Sequence, residues 1–142
     1  MPVKNAANSK NRAIPAQTVK SNTDPRHLKR IKILKSLFAW QFTKNTDPLN
    51  QEIVDQIDKI DQLISLSASK WPLEKINKVD LAILRLASWE LLNKSLTPTK
   101  VIIDEAVELA KRYGSKSSAS FVNGALGSLI IQIPHRHEPN KS

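Results

Sequence analysis

The 142-residue chain has no cysteine. That excludes disulfides, thiolate metal sites and thiol nucleophiles, and it fits a reducing compartment. No apolar stretch approaches the ~18 residues that cross a bilayer. The first 25 residues are polar and lack an apolar signal core. A cytoplasmic protein is therefore expected, neither secreted nor membrane-bound. The patterns Gly-x-Ser-x-Gly, the P-loop and the dinucleotide-binding glycine motif are all missing. Histidine occurs only at positions 27, 135 and 137. His135-Arg136-His137 lies between Pro134 and Pro139, where a solvated tail is a better reading than a weak metal site. Carboxylates are plentiful, but none marks a pair with separated acid and base roles. No catalytic residue, metal or cofactor is expected, and a binding protein is.

What is present is an uneven charge. The formal net charge is +9. Residues 1–44 carry ten Lys/Arg and a single acid, Asp24, whereas residues 45–142 carry twelve of each sign. The whole excess sits in the N-terminal third. A basic end on a neutral body points to a polyanionic partner, with an uninvolved basic tail as the alternative. Lipid fits less well, because the basic segment has no broad apolar face to spare.

Apolar residues make up 40% of the chain, enough for one core. Residues 1–23 are rich in Asn, Ser, Lys, Ala and Pro without an apolar period, which predicts a disordered basic arm. A helical domain is expected over 24–134 and a disordered tail over 135–142. Leu28, Ile31, Leu34, Leu37 and Phe38 recur at helical spacing. Thr23 or Asp24 can cap that helix, with Pro25 in its first turn. It should end near Phe42. Arg26, Lys29 and Arg30 stand at i, i+3 and i+4, so they share one outward surface. A second helix is predicted from about Leu49 to Ser67, on a stripe of Ile53, Ile57, Ile60 and Ile64. Glu52, Asp55 and Asp58 form an acidic row on another face, read as solvated surface. Trp71-Pro72 breaks the chain.

A third helix, about Asn77 to Lys94, is apolar on most sides and should be central. Its face Val79, Ala82, Ile83, Leu86, Ala87 continues into Glu90. A fourth runs from about Thr99 to Tyr113, and Gly114 is expected to stop it in the left-handed conformation. Ser117 or Ser118 should cap a fifth, reaching about Ile133. Gly124 and Gly127 weaken that helix, and close approach of a neighbouring backbone is their expected reason. The architecture is an all-α bundle.

The cations of the first helix can neutralise phosphates and release counterions. Sequence in single-stranded RNA is read by stacking and base-edge hydrogen bonds. Phe121 lies at the margin of the fifth helix's inward stripe, near an N-terminus that favours phosphate. Periodicity alone also allows a core phenylalanine.

Three stretches then stand together: Val79-Asp80-Leu81-Ala82-Ile83-Leu84-Arg85-Leu86-Ala87-Ser88-Trp89-Glu90-Leu91, Ala106-Val107-Glu108-Leu109-Ala110-Lys111-Arg112-Tyr113-Gly114, and Phe121-Val122-Asn123-Gly124-Ala125-Leu126. In this order and spacing they resemble the C-terminal half of the NusB transcription-antitermination family. Leu34-Lys35-Ser36-Leu37-Phe38-Ala39-Trp40 resembles the end of its first helix. The resemblance implies a helical bundle of about five to six helices in two small subdomains. It also implies pairing with NusE, a small-subunit ribosomal protein, and binding of single-stranded boxA-type RNA. It places the pair in the RNA polymerase antitermination complex that supports ribosomal RNA transcription. The family's basic N-terminal segment maps onto Arg26, His27, Lys29 and Arg30, and its RNA-facing phenylalanine onto Phe121.

This chain departs from the family pattern in a shorter connection after the first helix, in Asp104 before Glu105, in lysines where arginine is usual, and in a longer arm. A helical protein–protein adaptor with an incidental basic arm is the competing expectation.

Overall fold

The computed structural model describes residues 24–136, so the predicted arm and the segment from His137 onward lie outside the described residues. Six α-helices form among these residues: α1 Pro25–Thr43, α2 Gln51–Asp55, α3 Ile57–Ser67, α4 Lys78–Asn93, α5 Thr99–Tyr113 and α6 Ser118–Leu129. Short 3-10 turns cover Leu73–Lys75 and Ile130–Gln132. No strand occurs among the described residues. The expected all-α bundle is what forms.

Asp24 caps α1 by accepting a hydrogen bond from the Arg26 N–H at 2.9 Å. This satisfies a donor that the first turn would otherwise leave unpaired. Lys44 ends α1 in the left-handed region, at φ 59°, with its ammonium 4.4 Å from the Trp40 ring centre. The short connection to α2 is held by side chains. Asn50 is buried and donates to Ser36 Oγ at 2.8 Å, and Ser36 donates to the Asp47 carboxylate at 2.9 Å.

The single helix expected over 49–67 is broken at Gln56. Gln56 leaves helical geometry, and its amide exchanges hydrogen bonds with the Asn93 side chain at 3.3 and 3.1 Å. The isoleucine period runs through the break because Ile53, Ile60 and Ile64 still face the core. Glu52, Asp55 and Asp58 are exposed, as expected for a solvated row.

α4 is the axis of the bundle. Every residue from Asp80 to Leu91 is buried, and the helix packs against each of the other five. Asn77 caps it, accepting from the Val79 and Asp80 amides at 2.8 and 3.2 Å.

Two glycine expectations are corrected. Gly114 is not left-handed; it is extended, at φ −92° and ψ −167°. A Cβ there would collide with Ser118 and come within 2.8 Å of the Ala110 carbonyl oxygen. Close approach is therefore the reason for Gly114. It is not the reason for Gly124 or Gly127, where an added Cβ meets nothing within 4 Å. The fifth predicted helix also stops at Leu129 and finishes as a 3-10 turn.

The segment after Pro134 is not wholly solvated. Arg136 is buried, with its guanidinium against the C-terminal end of α4. It donates to the carbonyls of Leu91 at 2.9 Å, Lys94 at 2.6 Å and Thr97 at 2.7 Å. Helix C-termini leave carbonyls without partners, and a cation there suits the dipole.

Candidate nucleic-acid interface

The predicted cations on α1 fall into two groups. Arg26 and Lys29 are exposed, and the Arg26 side chain keeps 84% of its accessible surface. Arg30 turns along the protein instead. Its guanidinium donates to both oxygens of Glu90 at 2.8 and 2.7 Å, and lies 3.7 Å from Glu105. Burial alone would lower its pKa, but the Glu90 hydrogen bond and the charges of Glu90 and Glu105 outweigh it and raise it above the ordinary arginine value. His27 points inward and is buried, its Nδ1 3.1 Å from the Glu105 carboxylate. The four N-terminal residues thus comprise two exposed cations, of which Arg26 lies 3.4 Å from the Asp24 carboxylate, and two that dock α1 onto α4 and α5.

Arg26, Lys29 and Arg30 do line one groove, as their spacing requires. Its floor is Ile33, Leu86 and Trp89, its far wall includes Lys94 and Thr97, and its volume is about 290 Å³. Lys94 lies 5.1 Å from the Trp89 ring centre. With Glu90 neutralised by Arg30, the exposed cations on this groove are Arg26, Lys29 and Lys94. Periodicity could have found the docking pair. Glu90 lies on the inward stripe of α4, and Glu105 stands between Ile102 and Leu109 on that of α5, and a buried ionised carboxylate is usually paired with a cation.

Phe121 is half-buried in the first turn of α6. It lines a cleft of about 340 Å³ with Trp71, Lys75, Asn77, Asp80 and Ser120. Asp80 is 5% exposed, and its Oδ1 has no hydrogen-bond partner. Burial pushes its carboxyl pKa up from 3.8, against the Ser118 hydroxyl that pulls it down. Ser118 is held by its own turn, where its Oγ accepts from the Ser115 N–H at 2.8 Å.

The two regions share no lining residue. α4 joins them. Glu90 near its C-terminal end faces the basic groove, and Asp80 near its N-terminal end faces the Phe121 cleft. Ten residues at 1.5 Å each separate them by roughly 15 Å along the axis. Among the described residues no group of three or more His, Asp or Glu could hold a metal. No described helix is long and apolar enough to cross a membrane.

The sequence model of the NusB family matches residues 46–130. The transcription antitermination protein NusB of Sorangium cellulosum is 47% identical over 81 residues, covering 57% of this chain and 58% of its own length. That of Syntrophotalea carbinolica is 49% identical over 80 residues, covering 56% and 51%. This chain therefore spans little more than half the length of those two relatives. The NusB of Lachnoclostridium phytofermentans is 41% identical over 102 residues, covering 66% of this chain and 77% of its own. These relatives are named as antitermination proteins, not as enzymes. The solved structure of T. maritima NusB superposes with a TM-score of 0.68 at 35% identity, over 75% of this chain and 90% of that one.

Proposed function

The chain belongs to the NusB family, and we propose that it is a cytoplasmic RNA-binding antitermination factor that pairs with NusE on boxA-type RNA. In this role it enters the RNA polymerase antitermination complex and supports ribosomal RNA transcription. The observation that carries the proposal is the pairing of an exposed cationic groove with an aromatic cleft at opposite ends of α4. Phosphates meet Arg26, Lys29 and Lys94, which supply salt-dependent affinity. A base stacks on Phe121, which is tolerant of sequence, while the exposed Ser120 offers a polar group to a base edge. Arg30 and His27 act from below, fixing α1 so that the free cations are held in place.

The separation sets a minimum length for the strand. At about 3.4 Å per stacked nucleotide, roughly 15 Å along the axis requires at least about four nucleotides. A titration of labelled boxA-like RNA, with and without purified NusE, tests the proposal. Tighter binding of the pair is expected, with a preference over a scrambled strand. Equal affinity for both strands would sink it. Arg26→Ala with Lys29→Ala removes two phosphate contacts, so the slope of log affinity against log salt should fall by roughly 1.4. An unchanged slope removes α1 from the interface.

A further inference from the structure

Trp71 is 53% exposed, whereas Trp89 is 8% exposed and Trp40 is half-buried. An indole left this open is unusual for a fold with an ample core. It follows α3 in a turn closed by its own N–H on the Ala68 carbonyl at 2.9 Å, and Pro72 comes next. The turn faces α6, and Phe121 stands across from it. Trp71, Ser120 and Phe121 line the cleft already described and also a second one, of about 450 Å³, on the far side. Lys70 is the sole charged residue among those lining that second cleft.

Gly124 supplies an independent observation. It sits in the middle of α6, where glycine weakens a helix relative to alanine. Packing does not require it, since an added Cβ would meet nothing within 4 Å. It lines the second cleft, so the missing side chain leaves that space open.

We propose that the second cleft receives the next unpaired base of the same RNA strand, with Trp71 as a second stacking ring and Lys70 beside the adjoining phosphate. This rests on the assignment of Phe121 as a stacking residue. Stacking tolerates every base because each has a π-face, so no base preference is expected in this cleft. A surface with one cation and no carboxylate suits an anionic ligand, and the open rings of Trp71 and Phe121 favour the planar bases of a nucleic acid over the side chains of an acidic peptide.

The test uses the full chain with its NusE partner and boxA-like oligonucleotides carrying a single abasic position. Trp71→Ala should weaken the intact oligonucleotide roughly five- to a hundredfold, the range that base–aromatic stacking spans. Gly124→Leu, which fills the cleft and improves the helix, should do the same. Both variants should lose nothing further on an oligonucleotide abasic at the position they contact. Intrinsic fluorescence should be quenched on RNA addition in the wild type and far less in Trp71→Phe, which keeps a stacking ring. If Trp71→Ala and Gly124→Leu bind like wild type while Phe121→Ala does not, the second subsite is wrong and the parent proposal stands. If all three bind like wild type, both are wrong. Loss of NusE capture with RNA affinity intact would make the cleft a protein-docking surface and overturn the inference.

Discussion

Replacing Arg30 by alanine should unsettle the fold before it reveals anything about RNA. The guanidinium makes two short hydrogen bonds to Glu90, and the two side chains are 14% and 8% exposed. Alanine leaves the Glu90 carboxylate desolvated and without those bonds. Breaking a buried pair by removing one partner costs about 3–5 kcal/mol. The residual exposure of Arg30 puts the expected loss near the lower end, about 3 kcal/mol. For a domain of this size that lowers the melting temperature by roughly 10–15 °C. Arg30→Leu with Glu90→Leu removes both charges, and an apolar replacement of a buried pair is close to neutral. The double variant should therefore recover most of the loss. Urea unfolding of wild type, Arg30→Leu, Glu90→Leu and the double variant, followed by circular dichroism and tryptophan fluorescence, gives the coupling energy, expected to exceed about 2 kcal/mol. Arg26→Ala and Lys29→Ala are exposed controls and should stay within about 0.5 kcal/mol of wild type. Additive effects, or an Arg30→Ala protein within about 1 kcal/mol of wild type, would refute the docking role and return Arg30 to the free cations.

The glycines separate in the same assay. Gly114→Ala forces a side chain against Ser118 and the Ala110 carbonyl and should cost about 1–3 kcal/mol, whereas Gly124→Ala should stabilise by up to about 1 kcal/mol; equal effects would discredit the close-approach account. Arg136→Ala strips the carbonyls at the end of α4 of a charged donor and should cost about 2–3 kcal/mol. Arg136→Lys should recover less than half of that, because an ammonium cannot reach the several carbonyls a guanidinium spans; full recovery would reduce the effect to charge alone. Asp80 carries a pH signature. Its carboxyl is held above 3.8 by burial, so the folded state binds that proton more tightly than the unfolded chain. The stability this adds is present at low pH and is lost as pH rises through the raised value. Asp80→Asn should therefore stabilise at pH 7, by a margin that shrinks as both proteins approach pH 3; a margin that grows on acidification would contradict the burial argument.

Much of this was legible in the residues because burial imposes a period. α4 is apolar on nearly every side, and it is the buried axis. α5 was bounded by Pro98 and Gly114, and it spans Thr99–Tyr113. What stayed hidden depends on distant partners. The break at Gln56 leaves the isoleucine spacing untouched and coincides with a side-chain pairing to Asn93, 37 residues away. The spacing of Arg26, Lys29 and Arg30 gave a shared surface, and they do share one groove. That spacing does not say which of the three meets the inward Glu90, a carboxylate 60 residues later that its own stripe marks as needing a partner. Arg136 looked like part of a polar tail because its acceptors are backbone carbonyls, which no side-chain pattern reveals.

That division of the cations bears on how an RNA site can be both firm and reversible. A long basic side chain loses rotamer freedom when it binds a phosphate. A helix that could also shift would lose more. Here the movement of α1 is restrained from beneath by Arg30 on Glu90 and His27 beside Glu105, leaving Arg26 and Lys29 to lose only their own freedom. A groove with few cations releases few counterions, so its own share of the salt dependence should be shallow and its own binding weak. Affinity must then come from stacking at the far end of α4 or from a partner that adds contacts to the same strand. The expected dependence on NusE follows from the small number of cations on this groove, and a variant with one more exposed arginine beside Lys29 should bind RNA more tightly alone and gain proportionally less from the partner.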